Sequence, residues 1–269
     1  MKRNNFYILL VFLPFLFSSC EEEVVLDLHN IEKRLIVEAT LTNLDPAVKV
    51  SLSYSQAFYD VPDMLRQTNA NVTIANSNGE SETLVPDTAG FFVSKNLKAQ
   101  FGETYTLKVE IDQQVVEVSS TMPRVVEIGY TTFVPNPFWG SPDSLNTIVN
   151  VMDPKGEDNF FRLKLNKLGA IPSTEFFIVD DSFGKDGIIS MPIYYKTFAP
   201  GDTVIIELRH LTNETADYYS GLSENVGGSF NSIAPGNPVS NMPDEVYGYF
   251  ATYAVAFDTV IVQKTIPSF

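Results

Sequence analysis

Along most of the chain apolar and polar residues alternate with a period of two, the pattern of strands with one face in a core. Leu35 to Leu41 reads Leu-Ile-Val-Glu-Ala-Thr-Leu, and after an Asp45-Pro46 turn Val48 to Tyr54 alternates, so both segments predict strands. Val72 and Ile74 alternate with Asn71 and Thr73 ahead of Asn78-Gly79, a dipeptide suited to a two-residue hairpin that needs positive φ. Tyr105, Leu107, Val109 and Ile111 alternate with Thr106, Lys108 and Glu110, then a turn at Asp112-Gln113 leads into a strand through Val118. Strands at this spacing, with no long helical period between them, predict a small β-sandwich over residues 34–122.

Met122-Pro123 interrupts the alternation, and the run Pro-Asn-Pro-Phe-Trp-Gly-Ser-Pro at 135–142 cannot lie in a central strand. A domain boundary is therefore expected near 123, with a second β-rich domain over 123–269. In it Thr147 to Met152 reads as a strand, Asp153-Pro154-Lys155-Gly156 as a turn, and Phe161, Leu163 and Leu165 as the inward face of another strand. Val204, Ile206 and Leu208 repeat this after Pro200-Gly201-Asp202. One helix is predicted, Thr215 to Asn225, capped by Thr212 or Asn213 and carrying an apolar stripe of Tyr218, Tyr219 and Leu222. The Gly/Pro/Ser/Asn stretch 226–241 exceeds the usual connection length, as functional or mobile loops do. A last strand pair is expected between Tyr247 and Val262. Within the first domain, Asp87 to Phe92 with Leu97, Gly102, Tyr105 and Leu107 resembles the carboxypeptidase-regulatory-like and transthyretin-like sandwich. That resemblance places Gly102 in a turn with φ > 0 and Tyr105 at the start of a strand crossing the core. The expected fold class is mostly β: an Ig-like or transthyretin-like sandwich followed by a second β-rich domain with one short helix.

The first nineteen residues depart from this pattern. Lys2 and Arg3 precede an apolar stretch from Phe6 to Phe17, then Ser18-Ser19-Cys20, the order of a secretory signal peptide. The stretch is shorter than the roughly 20 residues of a spanning helix and contains Pro14. Two small residues before the only cysteine resemble a bacterial lipobox, with Phe17 where an aliphatic residue is usual. On this reading Cys20 becomes the first mature residue, its thiolate forms a thioether to a diacylglyceryl group, and its amine takes a palmitate-type acyl chain. Two or more acyl chains anchor a protein stably where one does not. Residues 20–33 then form a lipidated tether. Its Glu21-Glu22-Glu23 run reads either as a solvated spacer or, by resemblance, as an acidic signal for export to the cell surface. Glu rather than Asp after the cysteine favours the outer membrane.

Charge narrows the partners. The chain carries −15, and losing Lys2 and Arg3 with the leader takes the mature chain to −17, a surface that repels phosphate backbones. Nucleic acid is not an expected partner. Only two histidines occur, His29 in the tether and His210 after the Val204–Leu208 strand, which leaves little material for a zinc site or a Ser-His-Asp arrangement. No phosphate-cradling glycine loop or dinucleotide fingerprint is present, and no catalytic residue and no cofactor is expected. Asp180, Asp181 and Asp186 in one short stretch offer oxygen ligands to calcium, but their spacing misses the EF-hand pattern, and a solvated acidic turn is the preferred reading, with no metal expected. Phe138 and Trp139, the only tryptophan, suit either an aromatic platform for a sugar or protein partner, or a plug between domains.

Taken in order, the lipobox, the tether, the Leu35–Glu38 strand, Gly90-Phe91, Gly102, Tyr105-Thr106-Leu107, Gly201-Asp202, Asp217-Tyr218-Tyr219, Asn241 and Gly248-Tyr249-Phe250 are similar to the DUF4249 family of uncharacterised bacterial lipoproteins. The resemblance implies an outer-membrane lipoprotein that accompanies a TonB-dependent β-barrel transporter, as a non-enzymatic binding or accessory subunit. Two other readings stay open: a surface hydrolase of glycan or peptide using acids of the second domain, and a structural or adhesive envelope protein.

Overall fold

The computed structural model describes residues 33–56, 66–136, 143–154, 156, 158–171, 178–226 and 237–263. Strand β1 (Leu35–Leu41) turns Leu35, Val37, Ala39 and Leu41 into the core and pairs antiparallel with β2 (Val48–Tyr54), Leu41 opposite Val48. Six further strands follow: β3 (Asn71–Asn76), β4 (Ser81–Thr83), β5 (Val85–Pro86), β6 (Phe92–Val93), β7 (Thr104–Ile111) and β8 (Gln114–Thr121). The order β4-β3-β7-β8 makes one sheet, packed against β1 and β2 around Val50, Leu52, Ile74, Phe92, Leu107 and Val109. Gly79 (φ 85) supplies the conformation that the β3–β4 hairpin needs, and the Asn76 side chain accepts the N–H groups of Asn78 and Glu80 across it. Asp112 and Gln113, at φ 47 and 68, turn β7 into β8. Tyr105 is buried, and its hydroxyl accepts the Gln100 N–H at 2.9 Å, tying the strand to the loop before it. The predicted sandwich and its positive-φ Gly102 (φ 81) are therefore present.

The second half adds β9 (Ile128–Pro135), β10 (Leu145–Met152), β11 (Phe160–Lys167), β12 (Ile178–Asp180), β13 (Gly184–Lys185), β14 (Ile188–Phe198), β15 (Thr203–Leu211), helix α1 (Asn213–Val226) and β16 (Tyr247–Ile261). The order β13-β14-β10-β9 makes a third sheet, packed on β11 and β15 around Val149, Phe161, Leu163, Met191, Ile193 and Ile206. Pro192 sits within β14, opposite Ile148 of β10. It is tolerated because β13 is only two residues long and pairs with Ile188 and Ile189, leaving the far side of Pro192 without a ladder to complete.

The hydrophobic cores part between Met122 and Val126, but the backbone does not. β16 pairs parallel with β1, from Ile36↔Tyr247 to Leu41↔Thr252, and antiparallel with β15, from Leu211↔Tyr253 to Thr203↔Ile261. One eight-stranded sheet, β12-β11-β15-β16-β1-β2-β6-β5, thus serves both halves. The strand pair expected between Tyr247 and Val262 is a single strand of 15 residues. Two partners, one for each half of its length, keep it continuous, and Asp258-Thr259 lies inside the β15 ladder instead of breaking it.

Candidate functional site

Because side chains alternate across a strand, the large sheet has a second face, opposite the two cores. It presents Ile36 and Glu38 on β1 and Tyr249, Ala251, Tyr253 and Val255 on β16. Helix α1 covers the middle of this face with Tyr218, Tyr219 and Leu222, the predicted stripe, joined by Ala216. Of the two expected caps Thr212 serves: its hydroxyl accepts the Thr215 N–H at 3.3 Å. Thr215 in turn accepts the Thr252 N–H at 3.1 Å, which pins the start of the helix to β16. Tyr218 stacks on Tyr249 with ring centroids 3.8 Å apart, and the Tyr249 hydroxyl donates to that of Tyr219 at 2.5 Å. Burial pushes the Tyr249 phenol far above its usual range. On the other side of the helix the buried Arg162 lies 4.6 Å from the Tyr219 ring and Arg209 4.6 Å from Tyr253, with Glu207 ion-paired to Arg209 at 2.5 Å.

Beside α1 a groove of about 460 Å³ opens, with Ile36 and Glu38 on its floor, Tyr218 on one wall and the segment Pro238–Gly248 as the other. Specific contacts hold this second wall. Pro238 lies against Gly221 of the helix, where a Cβ would meet the Pro238 Cα at 3.2 Å. The Asn241 amide donates to the Phe250 carbonyl and accepts the Phe250 N–H, both at 2.9 Å, standing in for a strand along one residue of β16. Ser240 donates to the Gly248 carbonyl at 2.5 Å and accepts the Met242 N–H at 3.1 Å. Gly248, at φ 100, lies so close to β1 that a Cβ there would be 2.1 Å from the Val37 carbonyl oxygen. At the end of the groove the Arg34 guanidinium lies 5.2 Å from the centroid of the Tyr247 ring and donates to the Asp244 carbonyl at 3.4 Å. Among the described residues the Glu38 carboxylate has no hydrogen bond or ion pair. After burial, its charge is the next influence holding the Tyr218 phenol above its ordinary value.

The residues singled out in the sequence go elsewhere. Cys20, His29, Phe138 and Trp139 lie outside the described residues. Asp180 caps the 3-10 turn Asp181–Phe183, its Oδ1 accepting the Ser182 N–H at 3.1 Å. Asp181 accepts the Asn159 N–H at 3.1 Å, and the Asn159 amide donates to Asp153 at 3.2 Å and to the Pro154 carbonyl at 2.9 Å. Asp186 occupies the β13–β14 turn at φ 56. The acid linked to Asp181 through Asn159 is therefore Asp153, and among the described residues no three His, Cys, Asp or Glu side chains converge as metal ligands would. His210 is 5% exposed, stacks on Phe161 at 5.1 Å, and places Nδ1 2.9 Å from the Arg124 carbonyl oxygen. Among the described residues no helix is long and apolar enough to cross a membrane.

Strand alternation alone could not mark Arg34, Glu38, Tyr218 and Tyr247 as one site. Their signal was the set of short motifs, four of which, Leu35–Glu38, Asp217–Tyr219, Asn241 and Gly248–Phe250, meet around the groove.

A two-domain fibronectin type-III segment from chicken tenascin is matched at 12% identity, over 86% of this chain and 100% of that one, with a TM-score of 0.25. No curated protein matches. The family described as "Domain of unknown function (DUF4249)" matches residues 21–258, and with that span covered the chain belongs to the DUF4249 family.

Proposed function

We propose that the protein is a lipid-anchored lipoprotein of the outer membrane that acts as a non-enzymatic binding or accessory subunit of a TonB-dependent transporter. The observation that carries the binding role is the groove beside α1. Its walls are locked by Gly221, Ser240, Asn241 and Gly248, while Glu38 on its floor has no partner among the described residues, so the site is shaped before a ligand arrives. His210, the one histidine described, is committed to Phe161 and the Arg124 carbonyl, a structural use rather than that of a base. The anchor rests on the Ser18-Ser19-Cys20 sequence and the transporter on the family resemblance. From Cys20 to Lys33 the tether spans at most about 45 Å when extended, enough to hold the sheets clear of a bilayer.

Two measurements test this. Radiolabelled palmitate is expected in the wild-type chain and absent from Cys20→Ser, which should also leave the membrane fraction; labelling that survives the substitution refutes the anchor. Affinity capture from detergent-solubilised outer membranes should recover a large β-barrel, and its repeated absence refutes the accessory role. Protease shaving of intact cells then distinguishes surface display from the periplasmic face.

A further inference from the structure

We infer that the groove binds a short peptide by its two free ends, the ammonium at Glu38 and the carboxylate at Arg34. The inference rests on reading the chain as a binding subunit and names the ligand class for that site.

Ile36 and Glu38 alternate onto one face of β1, Arg34 directly precedes that strand, and all three line the groove. At about 3.3 Å per residue the two charged residues are about 13 Å apart along the backbone. An extended peptide of two or three residues covers about 7 to 11 Å, which fits within that separation. Arg34 suits a carboxylate because its planar fork can hold both oxygens. It is positioned by the Tyr247 ring and the Asp244 carbonyl, neither of which neutralises it. Glu38 suits an ammonium because among the described residues its carboxylate has no hydrogen bond or ion pair, and it lies beside Tyr218. Between the two ends the lining mixes polar and apolar groups, with the half-buried Ile36, Pro238 and Pro243 available to a central side chain. A volume of about 460 Å³ lies within the range of small-ligand sites. A neutral sugar would leave both charges unanswered.

Isothermal titration of the purified full chain in detergent micelles tests this without any transporter present, so failure here is separable from failure of the accessory role. The probes are alanyl-leucyl-alanine, its N-acetylated form and its C-terminal amide. The free tripeptide should bind, and each capped form at least tenfold more weakly. Glu38→Gln should remove the discrimination against N-acetylation while keeping that against the amide, and Arg34→Gln the converse, with melting temperatures unchanged because both side chains are exposed. No heat from the free tripeptide at millimolar concentration, or equal binding of all three forms, overturns the inference. So does a variant that weakens all three probes equally, because that would be a structural effect.

Discussion

Gly248→Ala concentrates the strain of the fold in one methyl group. At φ 100 the residue lies where L side chains are disfavoured, which costs about 1–3 kcal/mol. The added Cβ would also lie 2.1 Å from the Val37 carbonyl oxygen, 2.7 Å from its carbon and 3.1 Å from its nitrogen, all backbone atoms. Relief requires β1 and β16 to separate by more than 1 Å at the second of their six paired positions. That sacrifices two or three ladder hydrogen bonds at about 0.5–1.5 kcal/mol each. The expected loss is about 3–5 kcal/mol out of the 5–15 typical of a folded domain. Gly79→Ala is the matched control: its φ of 85 imposes a similar conformational cost, but nothing lies within 4 Å of the added Cβ. The stiffening of the unfolded chain by alanine offsets both variants equally, so the difference between them isolates the clash. Urea unfolding followed by far-ultraviolet circular dichroism should place the Gly248→Ala midpoint well below that of Gly79→Ala at similar slope. Equal midpoints would show that β1 and β16 are not in close register at Val37, and the wall of the groove would lose its basis.

Other substitutions probe the same structure more locally. Asn241→Ala removes both amide bonds to Phe250 and leaves a part-buried N–H and carbonyl without those partners, so a loss of about 2–3 kcal/mol is expected by urea unfolding. The Tyr54 hydroxyl donates to Asp112 at 2.6 Å, and that bond, with burial and the carboxylate charge, pushes the phenol up to about 12. The folded value lies above the unfolded value of 10.0, so this contribution is complete below pH 10 and lost as pH rises through about 12. Tyr54→Phe should remove that part of the alkaline decline in melting temperature. Asp202 accepts from Lys167 at 2.6 Å and from the Ala199 N–H at 3.0 Å, which hold its carboxyl below 3.8. That contribution is present above pH 3.8 and lost as pH falls through the lower folded value, so Asp202→Asn should flatten the acid limb of a stability–pH profile. Phe161→Ala empties a fully buried site beside His210 and should cost about 3–5 kcal/mol.

Local chemistry determined a good part of this protein. Period-two alternation gave β1, β2, β3, β7, β11 and β15 because each hides one face, and turn residues gave the hairpins at Gly79 and Asp112-Gln113 because only certain residues accept positive φ cheaply. The stripe of Tyr218, Tyr219 and Leu222 gave the helix and the face it buries. Alternation says nothing of which strands become neighbours. The parallel pairing of β1 with β16, more than 200 residues apart in sequence, is decided by backbone hydrogen bonding in the folded chain. That pairing makes β16 one strand instead of two and joins both halves in a single sheet. The groove is a tertiary product for the same reason. Glu38 is an ordinary outward residue of β1, and Arg34 an exposed residue just before it, until the segment after Pro238, locked by Asn241 and Gly248, is laid beside them. Asp180 and Asp181 show the converse: neighbours in sequence, their carboxylates take separate tasks, one capping the 3-10 turn and the other bonding Asn159, while Asp186 sits in a tight turn at φ 56.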